Sequence, residues 1–248
     1  MALFLHGFMG SSQDWREVTS VLSGRSRCLT VDLPGHGDSV GLPPGAYTIE
    51  GAARTLLGLL DELDVERPAV VGYSMGARLA LYLALRHPER CAGLFVESAS
   101  PGLEEAAQRR ARREADEERA SILEMGDLEG FLVSWYRQPL FASLARREGM
   151  VEALIDIRRR NDPSELARSL RGMGTGSQPS LWGELAGLRI PTLAVAGGLD
   201  ERYVAIASRM AGSSPSVHAA VVPGAGHNVR LEAPEAYLAS LQGFLQTL

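Results

Sequence analysis

The sequence predicts an α/β fold, a mostly parallel doubly wound sheet with a helical segment inserted between strands. Three observations carry this. Apolar, strand-like runs alternate with helical patterns over both ends of the chain. Between them, residues 101–188 hold charged helical patterns and no convincing strand. At Gly72-Tyr73-Ser74-Met75-Gly76 a strand runs through one tight turn into a helix. With 248 residues, 45% of them hydrophobic, the chain can bury one full core. Residues 1–100 and 189–248 are therefore expected to form the core, and 101–188 a helical cap.

Taken in order, residues 2–5 read as a buried strand entering a loop at His6-Gly7-Phe8, and 12–24 as a helix. Residues 28–31 are a second strand. The loop 33–39 is dense in turn formers, and a proline-rich linker leads to a helix over 49–63 with leucines at helical spacing. The third strand, 69–73, feeds a helix that His87-Pro88 stops, and 94–97 is the fourth strand. Helices are expected at 104–118, 128–136, 150–160 and 163–170. Alternation resumes with a strand at 191–196, a helix at 203–210, a strand at 219–222 and a last helix at 234–245.

Composition excludes several functions. The formal net charge of −5 disfavours nucleic acid as a partner. All 25 basic residues are arginine, so Schiff-base lysine chemistry is absent and any single arginine is less informative than usual. No apolar run reaches membrane-spanning length and the opening residues lack signal-peptide character, so a cytoplasmic location without a membrane partner is expected. Cys28 and Cys91 lack disulfide or metal spacing, and no ligand cluster or phosphate loop is present. Neither metal nor organic cofactor is expected. The expected state is a monomer or weak homo-oligomer.

Gly-x-Ser-x-Gly at a strand-to-helix junction lifts a serine hydroxyl clear of the sheet, which makes Ser74 the candidate nucleophile or base. Its partners should follow as acid, then histidine. Gly197-Gly198-Leu199-Asp200 and Gly224-Ala225-Gly226-His227 each follow a strand, where ligands collect in open α/β sheets, giving the triad Ser74, Asp200, His227. Asp32 and Glu97 also end strands and are competing acids. His36 fits turn chemistry, while His87 and His218 read as structural or solvent-facing. The loop after the first strand and the residue after the nucleophile supply oxyanion donors in this arrangement, here the N–H groups of Phe8 and Met75.

These residues resemble the α/β-hydrolase superfamily over nearly the whole chain. Leu5-His6-Gly7-Phe8-Met9-Gly10-Ser11 with Asp14-Trp15, Asp32-Leu33-Pro34-Gly35-His36-Gly37, Gly72-Tyr73-Ser74-Met75-Gly76-Ala77-Arg78 and Trp135-Tyr136-x-Gln138-Pro139-Leu140-Phe141 resemble one branch in particular, 2-succinyl-6-hydroxy-2,4-cyclohexadiene-1-carboxylate synthase of menaquinone biosynthesis. The arginine after the elbow and the aromatic cap segment are its specific marks. The resemblance implies a lyase that eliminates pyruvate from a small polycarboxylate, without a cofactor. It implies substrate contacts from His6, Tyr73, Arg78, Arg112, Trp135 and Arg158. Arg112 lies in a mixed-charge helix of the kind that is usually solvated, and Arg158 is followed by two more arginines. A serine hydrolase or a non-catalytic binding module on the same fold are the competing readings. Ala77 replaces a glycine frequent in this elbow. The chain opens directly on its first strand, without the antiparallel hairpin usual there, and an uncovered sheet edge would favour pairing with another chain unless loops mask it.

Overall fold

The computed structural model describes residues 1–24 and 26–248. Six strands, β1 Ala2–Leu5, β2 Cys28–Val31, β3 Ala69–Tyr73, β4 Gly93–Glu97, β5 Thr192–Gly197 and β6 Val217–Val222, form one parallel sheet in the order β2-β1-β3-β4-β5-β6. β1, β3 and β4 are buried along their whole length, which is why they read as unbroken apolar runs rather than alternating ones. Helices α2 Ile49–Glu62, α3 Met75–Arg86 and α8 Glu201–Ser213 pack on one face around Leu3, Leu79 and Leu94. Helices α1 Arg16–Leu22 and α10 Pro234–Leu245 pack on the other around Phe4, Trp15, Phe95 and Tyr237.

β1 pairs with β2 on one side and β3 on the other. The winding therefore reverses at β1, and the loops that follow β1 and β3 flank a crevice of the kind that receives ligands in such sheets.

Residues 98–191 contain no strand. They carry α4 Ala106–Glu124, α5 Leu128–Tyr136, α6 Met150–Arg158 and α7 Pro163–Met173. α4 runs past its expected end at 118 because Ala120 and Leu123 continue, at helical spacing from Asp116, the face it buries. α9 Val229–Glu232 is too short to announce itself by periodicity. Among the described residues, no helix is long and apolar enough to cross a membrane.

Several ties seat the inserted helices on the sheet. Leu123, Phe131, Leu166 and Leu170 form an apolar cluster that includes Met9 from the β1 loop. The Tyr47 hydroxyl donates to the Glu165 carboxylate of α7, and Asn161 Nδ2 donates to the Met9 carbonyl at 3.0 Å. Asp14, just before α1, receives both terminal nitrogens of Arg158 at 2.6 and 2.7 Å.

His36 sits buried in the loop after β2, its ring 5.0 Å from that of His6. Burial, reinforced by the repulsion from His6, pushes its pKa from 6.5 down to about 3. The unfolded chain therefore takes up a proton that the folded one refuses, and the stability His36 contributes at neutral pH is lost as pH falls from 6.5 towards 3. The thermal midpoint of His36→Gln, measured across that range, should approach that of the unsubstituted protein as the pH drops. A constant gap would show that His36 carries no such linkage.

Candidate active site

Ser74 leaves β3 with φ 50° and ψ −105°, a conformation that L residues rarely hold and that is maintained here by close packing on both sides. A side chain at Gly76 would strike the Leu5 carbonyl, and a Cβ at Gly72 would stand 2.7 Å from the Ala77 backbone. Ala77 is fully buried, so the small residue there still fits under the turn. The Gly76 N–H donates to the His6 carbonyl at 3.0 Å, which locks the elbow to the β1 loop.

The structure brings Ser74, His227 and Asp200 together. His227 Nδ1 lies 2.8 Å from Asp200 Oδ2, and its Nε2 lies 3.2 Å from Ser74 Oγ. An ionised carboxylate only accepts, so Asp200 holds the imidazole proton on Nδ1 and leaves Nε2 free to take the proton of the serine. The histidine loop is itself clamped. Glu232 accepts the N–H groups of Gly226 and Asn228 at 2.9 and 3.2 Å, and Ser98 Oγ donates to the His227 carbonyl at 2.8 Å. Glu97 Oε1 accepts the Arg230 N–H at 3.1 Å. Burial raises Glu97 to a pKa of about 7 against the opposing pull of Arg230. The competing acids are thus engaged elsewhere: Glu97 in that clamp, Asp32 by the N–H groups of Ser12 and Asp38 at 2.6 and 2.9 Å.

Phe8 and Met75 both line a cavity of about 200 Å³ above Ser74. Among the described residues, no protein acceptor takes the backbone N–H of either. The charged walls are Arg78, Arg112 and Arg202, and no Asp or Glu of the described residues lines the space. Arg78 is buried and, among the described residues, bonds only to neutral acceptors, the Met173 carbonyl at 2.7 Å and Gln178 Oε1 at 3.1 Å. Burial without an adjacent carboxylate lowers its pKa to about 10. Arg112 Nε is steered by Asp116 Oδ1 at 2.8 Å, on the next turn of α4. Trp135 closes the opposite wall, its ring 5.2 Å from that of Phe8 and stacked on Phe131. No group of three or more His, Cys, Asp or Glu among the described residues is placed to hold a metal ion.

A family model described as alpha/beta hydrolase fold matches residues 3–234. A 2-succinyl-6-hydroxy-2,4-cyclohexadiene-1-carboxylate synthase from Enterobacter sp. (strain 638) is 34% identical to this chain over 98% of it and 91% of the relative. The chain belongs to that synthase family. A Bacillus subtilis (strain 168) protein given the same name provisionally is 37% identical, over 98% of this chain and 89% of its own length. The solved structure of MenH from S. aureus superposes with a TM-score of 0.94 at 32% identity, over 99% of this chain and 93% of that one.

Three residues expected at the substrate of this synthase-family chain do not line the cavity. His6 is fully buried, with Nδ1 donating to the Gly7 carbonyl at 2.8 Å and Nε2 accepting the Leu33 N–H at 2.9 Å. Both ring nitrogens are used, and burial lowers its pKa despite the nearby charge of Asp14. Its role is to tie the β1 loop to the β2 loop. Tyr73 lies beneath the elbow, packed so closely on Gly7 that a Cβ there would meet its ring at 2.7 Å. Arg158 points away, into its pair with Asp14. Burial works against its charge, and Asp14 more than compensates, so its pKa lies above the ordinary arginine value. Conversely, the sequence did not mark Gln178, fully buried, which donates to the Ser100 carbonyl at 3.1 Å while holding Arg78. Nor did it mark Arg202 and Tyr203, two and three residues after Asp200, which line the same space.

Proposed function

We propose that this protein is a carbon–oxygen lyase that eliminates pyruvate from 2-succinyl-5-enolpyruvyl-6-hydroxy-3-cyclohexene-1-carboxylate, giving 2-succinyl-6-hydroxy-2,4-cyclohexadiene-1-carboxylate for menaquinone biosynthesis. The observation that carries it is a histidine-activated serine opening into a cavity whose charged walls are arginines, one of them buried with only neutral partners. A neutral ester has no use for such a lining, whereas a substrate with three carboxylates does.

The chemistry balances without a covalent enzyme intermediate. Ser74 Oγ takes the ring proton at C2, next to the succinyl ketone, while its own proton passes to His227 Nε2. The C–H electron pair becomes the C2–C3 double bond, the ring double bond shifts to C4–C5, and the C5–O bond breaks. The departing enolpyruvate takes a proton and becomes pyruvate. During the shift, negative charge gathers on the ketone oxygen, where the Phe8 and Met75 N–H groups are available to receive it.

The test is pyruvate release from the cyclohexene, followed by a coupled assay beside hydrolysis of an activated neutral ester. Rapid pyruvate formation with negligible ester turnover is expected. Ester turnover through a serine adduct with no pyruvate would replace this reading with that of a hydrolase.

A further inference from the structure

We propose that Arg202 is the specificity-determining contact for the enolpyruvyl carboxylate, the one acidic group that substrate has and cyclic product lacks; this rests on the lyase reading above. Three arginines line the cavity, and they are held in different ways. Arg78 is fixed from behind by Met173 and Gln178, and Arg112 by Asp116. Among the described residues, Arg202 forms neither an ion pair nor a hydrogen bond. It is exposed, on the first turn of α8, with its guanidinium 5.9 Å from the Tyr203 ring.

Its place in the chain puts it on the proton-accepting side of the cavity. Tyr203, its neighbour, stands edge-on 4.7 Å from the His227 ring, and Asp200 accepts the Tyr203 N–H. Arg78 and Arg112 enter from α3 and α4 instead.

The difference in anchoring suits a difference in task. The succinyl and ring carboxylates stay on the product, so prearranged cations can hold them through the whole reaction. The enolpyruvyl carboxylate leaves in every turnover. A cation at the mouth, free to exchange its partner for water, can hold that group through a forked pair and release it without leaving a buried charge exposed. The buried Arg78 has no such freedom.

The experiment compares Arg202→Ala and Arg202→Lys with the unsubstituted enzyme. It measures KM and kcat for the cyclohexene and the inhibition constant of the cyclohexadiene product. Arg202→Ala is expected to raise KM about three- to fivefold, the scale of a well-oriented ion pair at an exposed site, with the product's inhibition constant changed less than about 1.5-fold. Arg202→Lys, which keeps charge but loses the fork, should fall between. An unchanged KM overturns the proposal, and so does a parallel weakening of substrate and product. Failure of the unsubstituted enzyme to release pyruvate would overturn the lyase reading and this assignment with it, whereas release with unaltered Arg202→Ala kinetics overturns the assignment alone.

Discussion

Ser74→Ala protein is expected to release pyruvate about 1000-fold more slowly than the unsubstituted enzyme, within the range general bases contribute. The hydroxyl is the group placed between His227 Nε2 and the cavity, and alanine leaves the histidine too far back to take a proton from a ring held above the elbow. His227→Gln should cost a similar factor. Because the two act as one relay, the double variant should be little worse than either single one. A substrate deuterated at C2 should slow the unsubstituted enzyme, since transfer of that proton starts the elimination. Circular dichroism and thermal melts separate lost chemistry from lost fold. A Ser74→Ala enzyme that kept a tenth of the normal rate would remove the serine from the proton step.

Asp14→Ala should be the most destabilising of the substitutions considered, by about 3–5 kcal/mol in urea unfolding. Asp14 and Arg158 are both more than nine-tenths buried in their side chains, at 8% and 7% exposure. Removing the carboxylate leaves a guanidinium in the interior with little to replace water. The same pair held by a good hydrophobic substitute is often no weaker, so Asp14→Ala combined with Arg158→Met should recover much of the loss. The surviving folded fraction of Asp14→Ala should keep its KM, because the pair lies outside the cavity. A loss below about 1 kcal/mol would mean that water reaches the pair.

The legibility of the site divided along physical lines. Ser74, Asp200 and His227 could be read because each lies at a strand end with glycines around it, a local pattern that the chain order then relates. Phe8 and Met75 follow from the same topology, since only backbone is involved. Arg158 could not be placed, because the carboxylate that claims it lies 144 residues away, and nothing in a run of three arginines marks which one turns inward. His6 stands one residue from the oxyanion loop, and only the positions of the Gly7 carbonyl and Leu33 N–H show that its ring is used up. Gln178 sits in irregular chain, where no periodicity or motif attaches meaning to a glutamine. The sheet is legible nearly residue by residue, since its strands are short apolar runs bounded by turn formers. α4 extends past its expected end because its last turns bury Ala120 and Leu123 in the insertion's own cluster, and α7 because Met173 at its end packs into the core beneath the sheet.

The order in which the site is assembled has a consequence for a chain emerging from a ribosome. Ser74 is made early, but its histidine partner arrives 153 residues later, on the loop after the edge strand β6. Its clamp is later still, since Glu232 lies beyond the histidine it steadies. Until His227 has been made, the chain carries the serine with no base to pair with it. Reactivity is therefore withheld until the last strand docks, after the inserted helices have been made and can roof the cavity.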